Sequence, residues 1–418
     1  MRIDTLELLR CPYCGGRLTL VDSLFHRGTA DEIQDGILGC YCCIFPVIDG
    51  IPVLHLLPGA SQAREQIEAR RPDLARRTMF GLEDEADAER FDAVASSDAA
   101  TYRETVEALG PNFEGGYFLY RFSDPTYIVA NAVARAVGAA VVGEGGRTID
   151  ICGGSGHITR SLVDLSSAPP ILADLYFAKV WLARRFTAPG CEPVCCDGNA
   201  PMPFARGAFS FAMCTDAFMY IWTKRQFVGE MERLIDRGRS HEEAGAVLIG
   251  HTHNERTWSP SHGQPLPPEG YAALFETLSP RIFGESGLFD DVVRGGPLDL
   301  SRRDDTETLD RNPALTIIAC RNPRVFVPHA LPQPAAAAGE LRINPLYAIE
   351  QDGERLRLRL GFPSEDYEQE YGACRQYLPE EVMLEPAVVA SLPAGRVGGE
   401  LSELVRRKVI VDLPKRYY

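Results

Sequence analysis

The sequence has no apolar run long enough to cross a bilayer, and its opening, MRIDTLELLRCPYC, lacks the extended apolar core of a secretory signal. A cytoplasmic location without a membrane partner is the expectation. Basic residues are scarce: 43 Lys+Arg stand against 58 Asp+Glu, a net charge of -15. Proteins that grip a polyanion carry a basic face, so nucleic acid is disfavoured as a partner and a small-molecule substrate favoured. There is no internal repeat and no disulfide framework. Of twelve cysteines, four form two Cys-x-x-Cys pairs; the others scatter through apolar stretches such as Phe211–Cys214, as buried reduced thiols do.

What is present divides the 418 residues into several units. Residues 1–58 hold both cysteine pairs and short apolar segments, with Asp49-Gly50 as a turn between Phe45–Ile48 and Ile51–Leu54. Residues 59–127 read as a charged, alanine-rich helical linker followed by an aromatic cap, Phe113 to Tyr127. From 128 to 332, helical and strand patterns alternate, with strands over Arg147–Cys152, Pro170–Asp174, Glu192–Asp197, Phe209–Cys214, Ala244–His251 and Leu315–Cys320. Such alternation predicts an α/β fold with a mostly parallel sheet between helices. Helices are expected over 157–167, Phe177–Phe186, 224–237 and Pro267–Leu278. Residues 333–340, QPAAAAGE, read as a linker. Residues 341–418 form a small α+β unit with a hairpin about Asp352-Gly353, to which no function is assigned.

Cys11, Cys14, Cys40 and Cys43 sit at zinc-ribbon spacing, and four thiolates close a tetrahedral site with no open position. The expected zinc is structural, a usual support for a unit this small. Cys42, between knuckle residues, is set aside. LLRCPYCGGRLTL, LGCYCC and FPVIDGIPVL, together spanning about an eighth of the chain, resemble the small zinc-ribbon activator of eukaryotic tRNA and translation-factor methyltransferases and its bacterial relatives. That resemblance implies a module that binds and stabilises a methyltransferase, here in cis.

Thr148–Gly156, TIDICGGSG, resembles motif I of class I S-adenosylmethionine-dependent methyltransferases: Asp150, Gly154 and Gly156 match, Gly153 lies between, and Cys152 stands where the first glycine is usual. Glycines at a strand-to-helix turn let the backbone approach a ligand. Asp174, with Leu175 beside it, ends the next strand, where a carboxylate can hold ribose hydroxyls. Asp197-Gly198 resembles the segment that receives adenine, and Thr215 follows the fourth strand. The resemblance implies a Rossmann-like core with a seven-stranded, mostly parallel sheet, and S-adenosylmethionine as cofactor. An NAD-binding turn prefers Gly-x-Gly-x-x-Gly and explains only the first of these strands.

Candidate catalytic residues are Asp216 and Tyr220 after the fourth strand, and His251 and His253 at the end of the fifth, one facing the site and the other packed elsewhere. Histidine is a natural base at neutral pH. Tyr117, Tyr120, Arg121, Trp222, Trp258 and His262 are secondary candidates around the pocket. The expected activity is methyl transfer to a small molecule. RNA methylation, other chemistry with the same cofactor, and a non-enzymatic scaffold remain open alternatives. A homo-oligomer or protein partner through the ribbon or the C-terminal unit is compatible with the sequence.

Overall fold

The computed structural model describes residues 1–110, 117–236, 245–259, 263–332 and 335–418. Its centre is a sheet of seven strands: β1 Thr148–Ile151, β2 Ile171–Asp174, β3 Glu192–Cys195, β4 Phe211–Thr215, β5 Ala246–His253, β6 Pro280–Gly284 and β7 Ala314–Cys320. Their spatial order is β3-β2-β1-β4-β5-β7-β6. β1 to β5 are parallel, and β7 runs antiparallel to both β5 and β6. Every residue of β1–β4 is buried, which is why these segments read as apolar runs rather than as alternating ones. The strand order reverses between β1 and β4, the point beside whose strand carboxyl ends open α/β sheets take their ligands.

The helix Pro125–Val141 covers one face of the sheet. It begins at Asp124, whose carboxylate accepts the Tyr127 N–H at 2.7 Å, with Pro125 in the first turn. The helix Lys224–Ile235 buries Phe227, Val228, Met231 and Leu234. Three expected helices differ. Residues Thr159–Leu165 form a 3-10 helix, and Phe177–Leu182 passes into a wider π turn over Ala183–Thr187. Pro268–Ala272 is a single short helix, because the Glu232 carboxylate accepts the N–H groups of Glu276, Thr277 and Leu278 and holds that chain outside a helical ladder.

The N-terminal unit is a small antiparallel sheet built on Ile33–Gly39 and Ile44–Ile48. Asp49 and Gly50 both have positive φ, 48° and 73°, as a tight hairpin turn requires. That turn also docks the unit: the Asp49 carboxylate accepts Trp181 Nε1 at 3.1 Å and faces Arg76 at 3.4 Å, while Arg184 donates to the Asp49 and Gly50 carbonyls. Beyond the turn, Val53 pairs in parallel with Cys195, and the Leu54 N–H donates to the Cys195 carbonyl at 2.7 Å. The ribbon thus continues the central sheet past β3.

Helices Pro58–Glu68, Pro72–Phe80, Glu85–Ala95 and Tyr102–Ala108 precede a 3-10 segment, Tyr117–Ser123, which carries the described part of the aromatic cap; Phe113 and His262 lie outside the described residues. The C-terminal unit contains the hairpin Tyr347–Asp352 and Arg355–Leu360, turning at Asp352-Gly353. The expected linker is packed where it is described: Ala336 pairs with Arg396, and the Ala337 N–H donates to the Gly395 carbonyl. The unit is fastened to the core by Arg160–Asp412 at 3.1 Å and by Tyr377, whose hydroxyl donates to the Ser123 carbonyl at 2.6 Å.

Candidate active site and metal centre

At the end of β1 the chain turns sharply. Cys152, Gly154 and Gly156 all have positive φ, 59°, 56° and 77°. Cys152 therefore adopts the glycine-like backbone of the position it occupies. A Cβ at Gly153 would lie 2.4 Å from Leu172 Cδ1 and 2.6 Å from Asp150 Cγ, whereas one at Gly154 would meet nothing within 4 Å. The turn is packed tightly behind and open in front, which is the form of a cradle.

Asp174, at the tip of β2, faces that turn. Its carboxylate accepts the Gly154 and Tyr176 N–H groups, each at 2.9 Å. Burial pushes its carboxyl up against the pull of those N–H groups. The Leu175 carbonyl accepts the Cys195 thiol at 3.2 Å, tying β2 to β3. Asp197 follows β3 and accepts the Asn199 N–H at 2.8 Å; Asn199 Oδ1 in turn accepts the Trp222 N–H at 2.8 Å. A Cβ at Gly198 would come within 3.2 Å of Cys152 Sγ and 3.1 Å of Ile221 Cδ1, so the loops after β1, β3 and β4 meet there. Thr215 is buried at the end of β4.

Asp150 sits differently. It is fully buried behind the turn, with one oxygen accepting the Thr159 hydroxyl at 2.7 Å and the other without a hydrogen-bond partner. Burial pushes its carboxyl up to about 7, against the Thr159 bond. It braces the turn rather than lining the crevice.

A second set of side chains gathers at the ends of β4 and β5. Asp216, left-handed at φ 55°, accepts Arg121 Nη2 at 2.7 Å. Arg121 is buried and lies 3.4 Å from both the Asp124 carboxylate and the Tyr117 hydroxyl. His251 sits in a β-bulge between Ile249 and Thr252 with φ 47°. Its Nδ1 is 2.7 Å from Glu285 Oε2, and its N–H donates to Glu285 Oε1 at 2.8 Å. The Thr316 hydroxyl donates to the same Oε1 at 2.8 Å. The His251 and His253 rings do not diverge as expected: their centroids are 5.7 Å apart, because residues i and i+2 of a strand share a face. Tyr220 is 51% exposed, and with Trp222 and Trp258, at 71% and 78%, it rims the loops after β4 and β5.

Glu285 and Tyr371 went unnoticed in the sequence. Glu285 opens the helix after β6, far from any motif, and only its place just after a strand was a signal. Tyr371 belongs to the C-terminal unit and lies parallel to Tyr117 with centroids 5.8 Å apart, which brings that unit to the edge of the site.

In the ribbon, the sulfurs of Cys11, Cys14, Cys40 and Cys42 all lie within 4.8 Å of one another. Cys11–Cys42 and Cys40–Cys42 are 3.6 Å apart, and Cys14–Cys40 is 3.7 Å. Zn–S bonds of ~2.3 Å at tetrahedral angles require S–S separations of about 3.8 Å, so these thiols fit the ion. The expected set has Cys43 at the fourth corner; here Cys42 groups with the other three sulfurs, and Cys43 Sγ lies 3.3 Å from Cys42 Sγ. The Cys42 and Cys43 N–H groups both turn inward onto Cys40 Sγ, and the half-buried Cys40 and Cys43 both pack against the apolar core.

No protein-family model matches the chain, and neither does any curated protein. Among solved structures, an S-adenosylmethionine-dependent methyltransferase from Thermotoga maritima is 14% identical, covering 50% of this chain and 94% of its own, with a TM-score of 0.33. Geranyl diphosphate C-methyltransferase from Streptomyces coelicolor A3(2) is 15% identical over 43% of this chain and 71% of its own, at 0.32. A chain from the complex of the Haloferax volcanii Trm112 methyltransferase activator is 17% identical over 46% and 89%, at 0.35. TM-scores this low assign nothing by themselves, and the chemistry of the crevice comes from its own residues.

Proposed function

We propose that this chain is an S-adenosylmethionine-dependent methyltransferase acting on a small molecule, with a structural zinc in its N-terminal ribbon. One observation carries the reading: a glycine turn, packed behind and open in front, faces Asp174 and stands beside Asp197-Gly198 where the sheet order reverses. Asp174 would hold the ribose hydroxyls, Asp197-Gly198 the adenine end, and Gly153–Gly156 with Thr215 the remainder. When bound, the cofactor supplies an electrophilic methyl group on a sulfonium. The chain's task is to hold the acceptor in line with it and to remove the acceptor's proton. The histidine pair beside Asp216 and Arg121 suits the second part. The ribbon's four thiols suit a closed site, which stabilises without taking part in chemistry.

Calorimetry with S-adenosylhomocysteine on the full chain tests the cofactor assignment. Binding to the wild type is expected, with affinity falling about 10- to 100-fold in Asp174→Ala as charge-assisted bonds to the ribose are lost. Equal affinity in the two proteins would remove Asp174 from the site, and no binding to the wild type would remove the reading.

A further inference from the structure

The residue that follows the glycine turn is His157, and it is buried. Aromatic side chains surround its ring: Phe118 stacks on it with centroids 5.5 Å apart at 15°, and Phe122 and Tyr102 stand at 5.0 and 5.9 Å. Its Nε2 is 2.8 Å from the Tyr417 hydroxyl, which donates its single proton to the Phe118 carbonyl at 2.6 Å. Nε2 therefore carries a hydrogen and donates to the tyrosine oxygen. Burial, with Arg121 and Arg160 nearby, holds the His157 pKa well below the ordinary histidine value, so the ring is neutral.

Tyr417 is itself firmly held. It is buried and lies parallel to Tyr102 with centroids 4.6 Å apart. Its carbonyl accepts the Arg103 N–H at 3.2 Å, and the Arg416 carbonyl accepts the Tyr102 N–H at 2.8 Å. The next residue, Tyr418, makes a bond of the same kind to the same 3-10 segment, its hydroxyl donating to the Leu119 carbonyl at 2.6 Å. That bond ends on Leu119, not on His157 or its stacking partner Phe118.

We infer that Tyr417 is a positioning residue for the cofactor: through His157 it sets the glycine turn in register with the segment Tyr117–Ser123. The inference rests on the methyltransferase reading above.

A glycine turn needs such a support. Gly154 and Gly156 are left-handed, and glycine has more backbone freedom to lose than any other residue. An unsupported turn would spread over many shapes, and the cofactor would bind at the cost of selecting one. Behind the turn, Gly153 is packed against Leu172 and Asp150. After the turn comes His157, whose ring cannot shift without leaving the Nε2–H buried and unpaired. The same hydroxyl holds Phe118, and the segment that carries Phe118 also carries Arg121, bonded to Asp216 at the end of β4. One oxygen thus ties the turn to the segment, and the segment is tied to β4. Methyl transfer in line depends on spacings of this kind.

Calorimetry with S-adenosylhomocysteine on the full chain, beside thermal melts, tests the inference. Tyr417→Phe keeps the ring and removes the hydroxyl. Its affinity is expected to fall about 3- to 10-fold at a temperature where the variant is fully folded. Tyr418→Phe removes a bond of equal length to the same segment and is expected to keep wild-type affinity, its cost showing only in the melt. His157→Gln, which retains an N–H donor, should bind more tightly than His157→Leu, which has none. The two His157 variants decide the matter should Tyr417→Phe fail to fold. Wild-type affinity in Tyr417→Phe, equal losses in Tyr417→Phe and Tyr418→Phe, or equal affinities in the two His157 variants overturns the inference and leaves the methyltransferase reading standing. If the wild type binds no S-adenosylhomocysteine, that reading falls instead.

Discussion

Arg121 and Asp216 are 95 residues apart in sequence and 2.7 Å apart in space. Through this pair the 3-10 segment Tyr117–Ser123 is tied to the end of β4, and through the same segment the C-terminal unit reaches the site. Tyr377 bonds to the Ser123 carbonyl, Ser123 Oγ donates to Asn344 Oδ1 at 3.0 Å, and Tyr371 lies along Tyr117. Residues 341–418 therefore pack against the segment that Arg121 ties to the end of β4.

Arg121→Met should be strongly destabilising, by about 3–5 kcal/mol, because it leaves the Asp216 and fully buried Asp124 carboxylates facing one another without their shared cation. Tyr377→Phe, which removes a single hydrogen bond, should cost about 1 kcal/mol. Denaturant unfolding measures both. Equal costs for the two variants would mean that the buried cluster is not a unit.

Cys42→Ser should lose bound zinc, and Cys43→Ser should retain it. Elemental analysis of the purified full chain reads the difference. The opposite pattern would return the fourth corner to Cys43.

The parallel strands and their turns were legible because each is a short apolar run ended by glycine or aspartate. Asp174, Asp197 and the glycine turn were picked out by their resemblance to methyltransferase motifs together with their order along the chain. The zinc knuckles were legible as a pair, but the choice between Cys42 and Cys43 depends on which sulfur turns towards the other three, which spacing does not encode. Glu285 and Tyr371 were out of reach for a related reason: each joins the site through a strand crossing or a packed unit far away in sequence. The helix expected over Pro267–Leu278 failed because a distant carboxylate, Glu232, satisfies its backbone instead. Local pattern cannot register that competition.

Gly153→Ala should destabilise the fold by about 1–3 kcal/mol, since the added methyl would press on Leu172 and Asp150. Gly154→Ala has room for its methyl but a left-handed backbone, so it should cost about 1–2 kcal/mol. Its larger effect should be on cofactor affinity, because its methyl points into open space in front of the turn. Thermal melts and calorimetry on the same two proteins separate these effects.

Asp150→Asn should change how stability depends on pH. The wild-type carboxyl has its pKa raised from about 3.8 unfolded to about 7 folded, chiefly by burial. Between those values the folded state holds the proton more tightly, so stability contributed at this site falls as pH rises. The slope is at most about 1.4 kcal/mol per pH unit. The variant should lack this slope, and its stability relative to wild type should improve from pH 4 to pH 7. Parallel curves for the two proteins across that range would show that Asp150 is not held as described.

The pairing of Val53 with Cys195 would give a metal held by the four thiols a reach beyond its own module. A ribbon loosened by a chelator would release the row of peptide groups along β3 that it now covers, and a bare strand of that kind invites another chain to pair with it. Stripping the ion should therefore register in light scattering as self-association, at concentrations where the loaded protein stays dispersed.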